Sequence, residues 1–515
     1  RIVEFNLKQT TKHFLAITAL LLLAGPVIAP ITDYFPADPG IKIIQIKDFV
    51  ASGFSSFAAR HPGEVLDAAH EFFPVCPPFA WNVSSQTYYV FPFLYTVFAT
   101  PFYLISGSRG IAVSNVILFL CTLILLYKLA TRLGLSSRRK HLMIWFLAAA
   151  TSLPFIAWFP GEGHLGILGC LGGFYLLLLA AERSSYMLFL LSGIVAALAG
   201  LFRAETFLIP AAFSVAAFWF VLKRDGSIKS ALLSSALFTL GTGLVVACFV
   251  ATNIAVLSHP LGLRGIEFAQ TMGSIGIGPR FANFPTYFLF SIKGPGLFGA
   301  WPILLWVFAL RVKPDPAESP ITRQIVLIMA LVSLLYSLAI PLLVTIDDGS
   351  IFGPRYLLPI YPFVTLVAFY NLDRLWTGTP RWLRITSTVG IVYSFVLTLL
   401  VYGIFWAFGR AGETLNRKVE SFVGTSPVLV YNASQFAYSA SFRLFQTHKQ
   451  PILGVRDPAA FGTVLQRLDE TGSKCIAVVR TKAGVPDYAA HNRLLQGSNS
   501  FGEIIVDQVC LPHSR

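Results

Sequence analysis

The chain has 515 residues, 55% of them hydrophobic and 12% charged, with a net charge of +14 and a mean hydropathy of +0.67. A soluble domain carries roughly twice that charged fraction, so the composition excludes an ordinary soluble enzyme and points to a polytopic membrane protein. Basic residues collect on the cytoplasmic side of such proteins, so the positive charge is not read as nucleic-acid binding, and six cysteines are too few for a disulfide scaffold.

A bilayer crossing needs about twenty apolar residues. On that basis the chain offers eleven spans, near 14–32, 110–131, 142–160, 165–181, 187–202, 205–222, 231–257, 295–311, 325–346, 356–371 and 386–408. The chain begins at Arg1 rather than Met, which reads as a missing start. No small-residue cleavage site follows the first span, so it is taken as a retained helix and not as a signal peptide. Cys121, Cys170 and Cys248 fall in apolar runs and are expected to be inert core thiols.

Directly after the first span comes Tyr34-Phe-Pro-Ala-Asp38-Pro-Gly-Ile-Lys42. A charge beside the membrane is costly unless it is paired or working. Pro39 suits a first helical position and an acid before it can cap the free N–H groups, so a helix is expected from Pro39 to Phe49. Lys42 lies one turn on, where the two side chains share a face. Asp38 is thus a helix cap, a general base, or both; Lys42 is an ion-pair partner or a phosphate contact.

The apolar run 88–105 decides the topology. If it crosses, Arg138, Arg139 and Lys140 lie outside; if it is a re-entrant or interfacial helix, they lie inside with the later basic loops, as the positive-inside rule requires. Pro92 and Pro101 also suit a broken, surface-lying helix. The second arrangement makes the N-terminus cytoplasmic and places 33–109, 258–294 and 409–515 outside. The organisation expected is a transmembrane module over 1–408 and a soluble external domain over 409–515. In that tail Val428–Tyr431, Cys475–Val479 and Glu503–Val506 read as short buried strands and Ala459–Leu468 as a helix. Cys475 and Cys510 suit a disulfide in a periplasmic domain, or two separate buried thiols.

The polar residues gather on the external side. Glu162 and His164 lie in a tight turn as candidate substrate contacts, though their spacing is not a metal motif. Arg203 and Glu205 sit at the junction of two apolar runs, where Arg203 pairs with Glu205 or faces a lipid phosphate. Pro354-Arg355-Tyr356-Leu-Leu-Pro359 opens a span from outside; Arg355 is a phosphate contact or, with Tyr356, an interfacial anchor. Asp347-Asp348 offers hard oxygens to a divalent cation, but two acids without a third ligand equally suit a solvated turn. No cofactor is required by anything in the sequence.

The order of these motifs resembles the GT-C superfamily of membrane glycosyltransferases, which includes the protein O-mannosyltransferases and the aminoarabinose transferases of lipid A. The likeness is carried by the acid and helix from Asp38 to Gly53, the Pro-rich segment from Tyr89 to Gly107, and the Arg355 to Pro359 element, and covers residues 14–408. It implies a polytopic all-α membrane protein of about eleven transmembrane helices, with interfacial helices in the first external loop and a small α/β C-terminal external domain. It also implies a sugar donor on a polyprenyl phosphate, an acceptor on a lipid, glycan or protein, an inverting reaction, and residence in the inner (plasma) membrane. Asp38 would be the base, with Arg355, Lys42 and Arg203 around the donor phosphate and Glu162, His164 and Tyr356 near substrate. Many members carry two adjacent acids where Pro39 follows Asp38 here, which keeps Asp33 as a rival base. The alternative function is a transporter or flippase of a lipid-linked glycan; such proteins show repeat halves and charges at membrane depth, and neither is found here.

Overall fold

In the computed structural model the described residues are 16, 18–25, 38–75, 77–83, 85–266, 276–291, 294–309, 319–343, 355–431, 437–447, 450–470, 472–482 and 485–512. In chain order, residues 18–25 form α1, followed by α2 (Asp38–Ala51), the hairpin strands β1 (Ala80–Val83) and β2 (Gln86–Tyr89), and α3 (Phe93–Arg132). Then come α4 (Ser137–Ala149), α5 (Leu153–Trp158), α6 (Gly163–Arg183), α7 (Tyr186–Phe202), α8 (Leu208–Asp225), α9 (Ile228–Leu257), α10 (Pro320–Leu343), α11 (Tyr361–Leu375) and α12 (Arg381–Val423). The tail holds β3 (Val428–Tyr431), α13 (Phe442–Thr447), β4 (Ile452–Val455), α14 (Pro458–Glu470), β5 (Cys475–Thr481), β6 (Leu494–Phe501) and β7 (Ile504–Cys510). The chain divides into two compact units, Arg1–Ile28 with Ala112–Gly403, and Ala29–Ile111 with Ile404–Arg515.

Among the described residues six helices are long and apolar enough to cross a membrane: α3, α6, α8 with its preceding 3-10 turn, α9, α10 and α12. The shorter α7 is also apolar. These seven fall on expected spans. Three other expectations meet broken elements. The 142–160 run is split between α4 and α5, and the 356–371 run opens as a 3-10 helix, Arg355–Ile360, before α11. The 295–311 run is not a continuous helix, a correction: a single turn, Leu297–Ala300, stops at Trp301, and a 3-10 helix, Pro302–Phe308, follows. Pro302 forces the residue before it out of helical geometry and supplies no N–H. Of the expected core thiols only Cys170 is buried. Cys121 and Cys248 face outward from α3 and α9, because in a helix apolar all round hydropathy does not assign a face.

Close packing in the first unit depends on small residues. Ser192 on α7 donates to the Gly173 carbonyl of α6 at 2.7 Å. A Cβ on Gly193 would lie 2.0 Å from the Phe238 carbonyl oxygen of α9, and one on Gly241 would lie 2.2 Å from that of Leu190. Such approaches let helix backbones meet without side chains between them. Gly193→Ala is therefore expected to force α7 and α9 apart and destabilise the protein by about 1–3 kcal/mol, seen as a lower Tm in detergent.

A straight helix the length of α3 would be roughly 60 Å long, twice a hydrocarbon core. It is not straight: Ser106 (φ −151°, ψ 26°) and Gly107 (φ 59°, ψ −148°) interrupt the helical backbone, and the left-handed φ of Gly107 is one that glycine tolerates. On the N-terminal side of the break, Leu94, Val97, Leu104 and Ile105 are exposed while Tyr95, Ala99 and Thr100 are buried. The exposed set recurs at helical spacing and forms one apolar stripe.

In the second unit a five-stranded sheet runs β4-β3-β5-β7-β6. β3 is parallel to β4 and β5, and β7 is antiparallel to β5 and β6. The expected strands are β3, β5 and β7, and the expected helix is α14. The four residues of β4 are all buried, as the continuous apolar strands of parallel sheets are. Cys475 and Cys510 face each other across β5 and β7 and form a disulfide.

Candidate functional site

Asp38 stands in the first turn of α2 and is half-buried. The helix it opens is enclosed on nearly every side: Ile41, Lys42, Ile43, Ile44, Gln45, Ile46, Asp48 and Phe49 are all buried. Three polar side chains carry that burial. The Lys42 ammonium, in a residue 6% exposed, lies 4.7 Å from the Phe91 ring centroid and 5.7 Å from that of Tyr95, a cation–π arrangement. Gln45 donates to the Phe91 carbonyl at 3.3 Å. Asp48 accepts from the Arg60 N–H at 3.0 Å and the Tyr89 hydroxyl at 3.2 Å, both at Oδ2. Burial pushes the Asp48 carboxyl up to about 7, against the opposing pull of those two bonds and of the Arg60 and Lys47 charges.

Asp48 and Tyr89 were not among the candidate residues. The signal available in the sequence is an acid three residues after Gln45 in an otherwise apolar helix, Ile41-Lys-Ile-Ile-Gln-Ile-Lys-Asp-Phe49. Asp33, the rival base, lies outside the described residues, as do Asp347 and Asp348. Among the described residues no group of three or more His, Cys, Asp or Glu side chains is placed to hold a metal ion.

The first unit brings together a second set. α7 ends at Phe202, Arg203 adopts an extended conformation, and the 3-10 turn Ala204–Phe207 leads into α8. Arg203 pairs with Glu205 through Nε at 2.7 Å and Nη2 at 2.6 Å. The Arg203 guanidinium lies 5.4 Å from the Tyr356 ring centroid, and that of Arg355 lies 5.2 Å from it. Two candidate phosphate contacts thus share one aromatic ring. The Tyr336 hydroxyl donates to the Tyr356 carbonyl at 3.0 Å and holds this segment to α10. Glu162 stands at the N-cap position of α6, its side chain making no capping hydrogen bond, and is half-buried. His164 is fully buried, with its ring 5.1 Å from that of Phe119 and Nε2 2.9 Å from the Leu153 carbonyl oxygen, so in this structure it ties α6 to α5.

No family model matches the chain, and no curated protein matches it in sequence. Solved structures do match in fold. ArnT from Cupriavidus metallidurans, in a structure bound to undecaprenyl phosphate, aligns with a TM-score of 0.54 at 13% identity over 98% of this chain and 98% of its own. The same protein in the apo state gives 0.52 at 13% identity over 97% of each chain. The archaeal oligosaccharyltransferase AglB from Archaeoglobus fulgidus, in complex with an inhibitory peptide and a dolichol-phosphate, aligns at 0.54 with 12% identity, covering 92% of this chain and 69% of AglB. The chain has the fold of ArnT and AglB, and its six described helices that are long and apolar enough to cross a membrane make it a multi-pass membrane protein.

Proposed function

We propose that this protein is a membrane glycosyltransferase that moves a sugar from a polyprenyl-phosphate donor to an acceptor hydroxyl at the external face of the membrane. The observation that carries the reading is the match of nearly the whole chain to ArnT, whose structure holds undecaprenyl phosphate, combined with Asp38 at the head of an enclosed helix. Asp38 takes the acceptor proton, the acceptor oxygen bonds to the anomeric carbon with inversion, and the bond from that carbon to the phosphate oxygen breaks. The product lipid leaves as polyprenyl phosphate. Lys42, Arg203 and Arg355 stabilise the charge that grows on the leaving phosphate, and Glu162 and Tyr356 orient substrate. The apolar stripe of α3 before Gly107 suits a helix lying in the membrane interface, which keeps the first loop outside and the N-terminus cytoplasmic.

The test is reconstitution with a radiolabelled polyprenyl-phosphate sugar and envelope extract. Transfer of label to an acceptor, with release of polyprenyl phosphate, supports the reading. Movement of the labelled lipid across the vesicle without product assigns the protein instead to lipid translocation. Mass spectrometry of envelope glycans with and without the protein then names the sugar and its acceptor. In the same assay Arg355→Ala is expected to raise the donor KM about tenfold, the loss of one charge-assisted contact to phosphate; an unchanged KM removes Arg355 from the donor site.

A further inference from the structure

Residues 61–74 of the first loop are built into the C-terminal sheet. The Phe72 ring lies in one apolar core with Leu429, Leu453, Val455 and Phe461. Ile452 donates its N–H to the Pro62 carbonyl and Gly454 donates to the Phe72 carbonyl at 2.6 Å, so this segment closes the outer edge of β4. Asp67, 1% exposed, is the polar centre. Its Oδ2 accepts from the Phe72 N–H at 2.7 Å and from His61 Nε2 at 2.8 Å. Its Oδ1 accepts from the Glu71 N–H at 3.1 Å and from Arg467 Nη1 at 3.2 Å. The Gly63 N–H donates to His61 Nδ1 at 3.0 Å, which leaves the His61 proton on Nε2, facing Asp67. Burial acts to raise the Asp67 pKa, but the His61 bond and the two backbone donors outweigh it and hold the carboxyl below its usual value.

Arg467 comes from α14, far along the chain. Besides Asp67 it donates to the Leu66 carbonyl at 3.3 Å and to Glu71 Oε2 at 3.0 Å, and its guanidinium lies 4.8 Å from the Phe72 ring centroid. The network continues to α2 through neighbouring residues, since His61 bonds Asp67 while Arg60 gives its N–H to Asp48. α13, from the same C-terminal domain, packs directly on α2.

We infer that the C-terminal domain braces α2 for the transfer reaction and that Arg467 is a positioning residue acting through Asp67, His61 and Arg60. This rests on the reading of Asp38 and Lys42 as site residues. Small displacements of a catalytic group cost rate steeply, and α2 carries both Asp38 and Lys42.

The experiment uses the full-length protein in nanodiscs, with Arg467→Ala and the milder Arg467→Gln, which keeps one amide donor and the packing on Phe72. Expected results are a kcat lower by about 10- to 100-fold in Arg467→Ala, a smaller loss in Arg467→Gln, and a donor KM close to that of wild type. Hydrogen exchange is expected to show lower protection over residues 38–51 with β3 and β5 unchanged, and Arg467→Lys to recover part of the rate. Wild-type kcat and wild-type protection of α2 in either variant overturn the inference. So does loss of protection in β3 and β5 together with α2, which marks a general destabilisation. If the wild-type protein transfers no lipid-linked sugar, the functional reading fails, and the exchange measurement still decides the brace.

Discussion

Asp38→Asn is expected to lower kcat by about 10²- to 10⁴-fold, the range that a general base contributes, while leaving the melting temperature in detergent within error of wild type. The pairing of the two outcomes separates the two roles of this residue. Asn serves at a helix N-terminus about as well as Asp, so a residue that only supports the first turn of α2 tolerates the change. A base does not, because a neutral amide cannot take the acceptor proton. Asp38→Ala removes both functions and is expected to cost an additional ~1 kcal/mol of stability. Full activity in Asp38→Asn, with activity lost in Asp33→Asn, would move the base to Asp33.

Asp48→Asn is expected to act on stability, and in a pH-dependent direction. The folded protein holds the Asp48 proton up to about pH 7, whereas its ordinary value is 3.8. Between these values the native state keeps a proton that the unfolded chain has lost. Stability therefore falls as pH rises through roughly 4 to 7, by at most ~4 kcal/mol, and the loss is complete above that window. An Asn at this position carries no titrating group, and its amide oxygen can accept from the Arg60 N–H and the Tyr89 hydroxyl. At pH 8 the variant is expected to melt higher than wild type, and at pH 4 to melt at about the same temperature. Melting curves across this range check it; identical slopes for the two proteins would show that Asp48 does not titrate there.

The parts of this architecture that were legible in the sequence are those that depend on neighbours in the chain. The start of α2 is marked by Asp38-Pro39, and β3 and β5 by short apolar runs. The interruption of α3 falls at Gly107, at the end of a stretch that already held Pro92 and Pro101. What was not legible depends on distance. Arg467 meets Asp67 across 400 residues, and nothing in the local pattern of either residue predicts the other. Arg203 with Glu205 was foreseeable from their adjacency, whereas the ring of Tyr356 between Arg203 and Arg355 was not. Asp48 escaped notice because α2 is buried all round and shows no polar face against which an acid would stand out. His164 reads in the sequence as a polar residue in a short turn, yet its ring is enclosed, with Nε2 at the Leu153 carbonyl and Nδ1 buried without a hydrogen-bond partner among the described residues.

The bridge between Cys475 and Cys510 staples β5 to β7, its direct neighbour in the sheet, and closes a chain loop that contains β6, with a sequence separation of 35. It makes the tail a recorder of where the chain has been. Thiols meeting cytosolic reductants stay apart, whereas those delivered to an oxidising compartment join. An alkylation shift on material taken from cells thus reports which side of the bilayer the tail occupies, without any antibody or fused reporter.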